Sequence, residues 1–410
     1  MRKLLENIGL LTIVKILDFL IPLTVLPIVI SRIGLELFGE FSVLLSFFSF
    51  FISFGIFGFN TIAIKDISSC VRDSALVHNV ISDVFSFKII FSIISIFLFL
   101  LLINIKYENY FIISLVFSLG ILFEVFSLSF YFLAIQKLRF VSFVQISTKL
   151  LFGVLIVFLV KNENDLLLYV SLTVAAYILN SIILFFLSAS FNFNYKLLTF
   201  SYNKKRLKRS FEVYSYDFLN SLIKPITTYF ISFNYGDVVT GIFALSQRTY
   251  SVLYSGTVPA MDAIFPYLSG KKDESIEFYK LIKKFVFVFF FVSLCAYMLM
   301  YFGADFIQTY LLKRVFEGEE VILYNIICLM IIPSILNLLT TRILIVEEKQ
   351  KKVVKILVVN FCVIIIGYLV IQFYRLEVFY VVLILVFVSV LTSIILVWEV
   401  LKKNKRNRSV

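Results

Sequence analysis

Long apolar blocks alternate with short polar interruptions along the whole chain. An α-helix rises ~1.5 Å per residue, so about twenty apolar residues cross the ~30 Å hydrocarbon layer of a bilayer. By that measure the pattern predicts about twelve spanning helices, over 8–30, 37–63, 79–104, 110–135, 141–160, 166–190, 211–233, 238–268, 281–303, 321–346, 353–374 and 378–400. The expected fold class is therefore an all-α integral membrane protein. The longest basic interruption, from Asn192 to Arg209, separates six spans from six. An even number of spans leaves both halves facing the same way, which predicts parallel repeats about an axis along the membrane normal. Asp18-Phe19-Leu20 in the first span recurs as Asp217-Phe218-Leu219 in the seventh. The expected organisation is an N-terminal lobe over 1–190 with spans one to six, a basic linker over 191–210, and a C-terminal lobe over 211–410 with spans seven to twelve.

Composition supports the same class. Apolar residues make up 61% of the 410, with 49 Phe and a mean hydropathy of +1.00, more than a soluble core of this size hides. Met1-Arg2-Lys3 opens like a secretion signal, but Lys15 and Asp18 interrupt the apolar stretch and no small-residue cleavage site follows, so a retained first span is expected. The four cysteines are scattered and a single histidine accompanies them, which supports neither a disulfide framework nor a zinc site. Of the 38 basic residues, 26 fall at the termini and in the loops after even-numbered spans, against six in the opposite loops. That asymmetry predicts cytoplasmic termini. The net charge of +12 then belongs to a face meeting anionic head groups, and no nucleic-acid partner is called for.

Several segments carry a resemblance. Pro22 and Pro27, the run Arg32-Ile33-Gly34-Leu35-Glu36-Leu37-Phe38-Gly39, and Phe57-Gly58-Phe59-Asn60 resemble a pattern of Wzx-type O-antigen and polysaccharide repeat-unit flippases. These form the polysaccharide branch of the multidrug/oligosaccharidyl-lipid/polysaccharide flippase superfamily. Arg32 stands one residue nearer the glycine than in that pattern. Gly241 to Arg248, Phe265-Pro266-Tyr267-Leu268-Ser269, and Leu344 to Lys352 are similar to further stretches of the family. Phe130 to Phe140 resembles another, with Phe130 for Trp, Leu133-Ala134 for Gln-Gly and Gln136 for Glu. The resemblance implies two six-helix lobes around a central cavity in a bacterial cytoplasmic membrane. It also implies alternating-access flipping of a polyprenyl-pyrophosphate-linked oligosaccharide, with a polysaccharide polymerase and other biosynthesis proteins as partners.

Charges inside spans are costly, about 2.5–3.5 kcal/mol each at a helix centre on insertion scales. Six cations remain there: Lys15, Lys88, Lys149, Lys224, Arg248 and Arg342. Arg248 shares an eighth-span stripe of small and polar residues with Gly241, Ala244, Ser251, Ser255, Pro259 and Asp262. Lys224 shares one with Tyr214, Asp217, Ser221 and Thr228, and the second span offers Ser42, Ser46, Ser49, Ser53 and Asn60. Such stripes suit a water-filled lumen, and equally suit helix packing. Arg248, Lys224 and Lys15 are the expected substrate-binding cations, matched to a pyrophosphate. Asp18, Asp217 and Glu124 are the candidates for coupling to a Na⁺ or proton gradient. No other cofactor and no metal site is expected. Lys88, Lys149 and Arg342 are expected to snorkel, and His78 to be solvated beside the membrane.

A multidrug or cation antiporter of the same superfamily is the nearest rival, but it calls for a lumen without basic residues. A membrane polysaccharide polymerase or ligase calls for a large outward loop, whereas the longest outward segment, Gly303 to Glu320, is short. No enzymatic activity is expected.

Overall fold

The computed structural model describes residues 21–70, 73–189, 203–270, 275–312, 314–347 and 349–402. Among these there is no β-strand, and the described part of each of the twelve predicted segments is mostly helical. The helices are α1 (Ile21–Ile33), α2 (Leu35–Ile56), α3 (Phe59–Cys70), α4 (Ser74–Lys106), α5 (Phe111–Val125), α6 (Ser129–Ala134), α7 (Leu138–Leu159) and α8 (Leu166–Ala189). They continue as α9 (Lys204–Tyr235), α10 (Asp237–Gly270), α11 (Ser275–Phe302), α12 (Ala304–Phe306), α13 (Glu319–Leu329), α14 (Ile331–Val346), α15 (Gln350–Tyr374) and α16 (Val378–Leu401). Nine helical segments among the described residues are long and apolar enough to cross a membrane. Helices α9 and α10, with 32 and 34 residues, have ample length but lack the composition. They hold Lys224 and Arg248, so what excludes them from the apolar set is the polarity that singled them out in the sequence.

The chain forms two compact units, one of Ile28–Tyr229 and the other of the residues from Phe230 onward with the start of α1 through Pro27. In the first unit α2 packs on α4 and α5, α8 on α5 and α7, and α3 on α4 and α6. Its core is aromatic. Phe59 stacks on Phe87 with ring centroids 5.1 Å apart, and Phe57 on Phe91 at 4.1 Å. In the second unit α14 is the central helix, touching α10, α11, α15 and α16. Large apolar residues left exposed, such as Ile93 and Phe97 on α4, have the bilayer as their solvent.

Three predicted spans prove to be broken. The second stops at Ile56, where Phe57 and Gly58 take left-handed conformations with φ of 45° and 72°, and α3 starts afresh. The fourth stops at Val125, turns through Phe126 to Leu128, and resumes as α6. The tenth divides at Met330 between α13 and α14. Of these breaks only the first carries a glycine, which is why the apolar pattern alone read straight through.

The first two turns of α9 are tied down by charge. The Arg206 guanidinium bonds Asp83 of α4 and reaches Asp66 of α3 at 3.3 Å, while Arg209 meets the other Asp66 oxygen at 2.9 Å. Residues 204–210 of the expected linker are therefore helical and docked on the first unit, and residues 191–202 lie outside the described residues. Beside this network Gly58 is crowded, since an added Cβ would meet the Ser210 carbonyl oxygen at 2.8 Å. Gly58→Ala should lower the unfolding free energy by about 1–3 kcal/mol, the cost of forcing a side chain into a left-handed position. Gly256→Ala, in α10 where an added Cβ meets nothing within 4 Å, should leave it unchanged or raise it by about 1 kcal/mol. Thermal unfolding of the detergent-solubilised protein measures both.

Candidate functional site

Each predicted site residue falls in one unit or outside the described chain. Lys15 and Asp18 lie outside the described residues, and the Asp217 side chain is not among those described. In the first unit, Lys224 on α9 is exposed and Glu124 lies at the end of α5, half-buried. In the second, Arg248 is half-buried on α10, beside Tyr250, which stacks on Tyr254 at 5.8 Å. Charges inside spans are rare because hydrocarbon offers them neither water nor a counter-charge.

The polar stripes are quieter than their composition suggests. Ser251 donates to the Gln247 carbonyl at 2.7 Å and Ser255 to Val252 at 2.8 Å. Ser42, Ser46 and Ser49 do the same with Phe38, Val43 and Leu45, and Thr228 donates to the carbonyl of Lys224 at 2.8 Å. Hydroxyls bonded back to their own helix have no outstanding demand for a donor's partner. On α2, Ser42 and Ser46 are buried against neighbouring helices whereas Ser49 is exposed. Packing accounts for the first two.

Two cations serve the backbone. Arg32 lies between the first two predicted spans. Its guanidinium donates to the carbonyls of Val157 and Val160, the latter at 2.5 Å, at the C-terminal end of α7. The last carbonyls of a helix have no partner within it and carry the negative end of its dipole, so a cation there satisfies both. Lys88 corrects the expectation of snorkelling. Its side chain is fully buried, at 0% exposure, and its ammonium donates to the Val125 carbonyl at 2.7 Å while lying 4.6 Å from the Phe130 ring centroid. In an unbroken helix Ser129 N–H would have taken that carbonyl. Because the chain turns at Phe126, Lys88 replaces it.

His78 also departs from expectation. It is buried at 6% exposure, with Nδ1 2.6 Å from the Ser74 carbonyl, one turn into α4. Lys149 and Arg342 are half-buried. Lys88 had a legible signal, since Ile81, Val84, Lys88, Ser92 and Ser95 recur at three- and four-residue steps and are all buried. A lysine sharing a stripe with two serines points inward.

This arrangement is a multi-pass helical membrane protein that shares its fold with solved MATE-family transporters. The solved structures that share the fold include the outward-facing conformation of a multidrug resistance MATE family transporter of the MOP superfamily, at TM-score 0.64 and 12% identity, covering 96% of this chain and 94% of that one. An inward-facing conformation of such a transporter aligns at TM-score 0.57 and 14% identity, over 95% and 93% of the two chains. A MATE transporter of Vibrio cholerae aligns at TM-score 0.53 and 13% identity, over 97% and 95%. Residues 4–272 match the family described as polysaccharide biosynthesis protein, and the chain belongs to that family. No curated relative matches it.

The capping reading of Arg32 is testable. Arg32→Met removes charge-assisted bonds worth about 1.5–3 kcal/mol each and should lower thermal stability accordingly, while Arg32→Lys should recover part of the loss. Unfolding curves of the purified variants give the comparison.

Proposed function

We propose that the protein flips a polyprenyl-pyrophosphate-linked oligosaccharide, a repeat unit of O-antigen or another surface polysaccharide, across the bacterial cytoplasmic membrane. The observation that carries this reading is a polysaccharide-biosynthesis family sequence on a MOP-superfamily transporter fold, whose least apolar described long helices, α9 and α10, each contain a cation well inside the span. In the proposed cycle the sugar-pyrophosphate head enters the protein from the cytoplasm. The lobes rock, the head is released outside, and the lipid tail stays in the bilayer. Arg248, Lys224 and Lys15 neutralise the pyrophosphate. Arginine supplies planar paired donors and lysine a compact charge, and an enclosed site of low dielectric strengthens both. Free energy for the cycle comes from a Na⁺ or proton gradient, with Asp18, Asp217 and Glu124 as the carboxylates in question. A polysaccharide polymerase is the partner that would consume the flipped unit. An excess of basic residues over six opposing ones supports cytoplasmic termini.

Topology is checked by reporter fusions at Lys205 and Val410, both expected to read cytoplasmic. An extracytoplasmic signal at either would overturn the orientation. For the substrate, Arg248→Ala and Lys224→Ala should each abolish export when they replace the wild type in a flippase-deficient strain, and Arg248→Lys should retain part of it. Immunoblots of membranes establish that the variants are present. Alanine variants at normal abundance and full activity would exclude the pyrophosphate-binding role.

A further inference from the structure

One group of charges in the Ile28–Tyr229 unit, with Lys88 fully buried and Glu124 and Lys149 half-buried, exceeds what helix capping needs. Lys88 satisfies the Val125 carbonyl, yet the residue next to it, Glu124, is itself ionisable and within electrostatic reach of Lys88 and of Lys149 on α7. Ser181 of α8 donates its hydroxyl to the Glu124 carboxylate at 3.2 Å. Charged or hydroxyl groups from α4, α7 and α8 thus surround one carboxylate of α5, at the point where that helix breaks. Two polar atoms nearby in the chain are left without a hydrogen-bond partner among the described residues: Ser127 Oγ, in the break itself, and Asn180 Oδ1, next to Ser181. Both residues are more than nine-tenths buried.

We propose that Glu124 is a proton-exchange site of the transport cycle, with Lys88 as the counter-charge that holds the α5–α6 break. The coupling role rests on the transporter reading above. A hard metal cation takes a shell of several oxygen ligands and would here stand beside two ammonium groups. A proton only cancels the carboxylate's charge. With Glu124 ionised, Lys88 is neutralised across α4 and α5 and keeps its place on the Val125 carbonyl. When a proton from the aqueous phase binds the carboxylate, Lys88 retains only the carbonyl, the helix dipole and the Phe130 face. The break is then held less firmly, and α6 and the chain beyond it are free to move. Loss of the proton restores the pair. On the elements packed around α5, Asp83 of α4 is paired with Arg206, His78 of α4 lies against the Ser74 carbonyl, Glu40 of α2 accepts from the Tyr110 hydroxyl, and Glu36 and Lys106 stand at the other ends of α2 and α4.

The test is infrared spectroscopy of the full-length protein reconstituted in lipid, titrated from alkaline to acidic pH. Wild type should develop on acidification a carboxylic-acid component that is missing from the Glu124→Gln spectrum and retained by Lys88→Arg. In cells, dissipating the proton gradient should halt export by wild type, and Glu124→Gln should have lost gradient-driven export at normal abundance. A band that persists unchanged in Glu124→Gln, or export by that variant with unaltered dependence on the gradient, would overturn the proposal. That component reports the site whatever the substrate proves to be, so failure of the oligosaccharide reading shows separately, as wild type that cannot restore export.

Discussion

Backbone carbonyls cannot be left unsatisfied in a medium that contains no water, and this constraint decides much of what is found in the first unit. A continuous helix meets it automatically. A helix that ends does not, and helices of this unit end after Ile56, after Val125 and, beside the exposed polar loop of residues 161–164, after Leu159. At two of these ends a cation is supplied from another helix or its approach, Lys88 to Val125 and Arg32 to Val157 and Val160. The dipole at a helix C-terminus makes a cation the preferred cap, and low dielectric makes the bond stronger than it would be in water. These two charges are therefore explained by architecture.

In the second unit side chains of α14, α15 and α16 reach across to the neighbouring helix. Asn337 of α14 reaches the Ser389 carbonyl at 3.2 Å, Ser393 of α16 returns to the Pro333 carbonyl at 2.9 Å, and Asn360 of α15 donates to Thr392 at 2.7 Å. Interhelical bonds of this kind replace a hydrophobic driving force that the bilayer cannot provide.

Most of the fold was legible because span length is fixed by the bilayer and shows directly in the apolar runs. The breaks were harder to read. Phe126 to Leu128 contains no Gly or Pro, and a turn that is stabilised by a lysine 37 residues earlier leaves no local mark. Lys88 itself was misjudged because position along a span was weighed before the helical face. His78 failed for the same reason. The Asp66–Arg206–Arg209 network, formed across some 140 residues of sequence, lay in a stretch that read as a basic loop. Arg248 and Lys224 stood out because charge inside a hydrophobic run is rare. Their neighbours in space depend on how separate helices are arranged, which periodicity along one helix does not encode.

The Lys88 bond bears on how the protein enters the membrane during synthesis. Helix α4 emerges first, carrying a lysine well inside it, and the carbonyl that accepts this lysine lies at the far end of α5. Inserted alone, α4 would hold its ammonium in lipid at a cost of about 2.5–3.5 kcal/mol at the centre of a helix, and α5 inserted alone would end on an unsatisfied carbonyl. Each is the other's remedy. The two helices are thus favoured to leave the insertion machinery together as a hairpin, the order of assembly being written into one side chain.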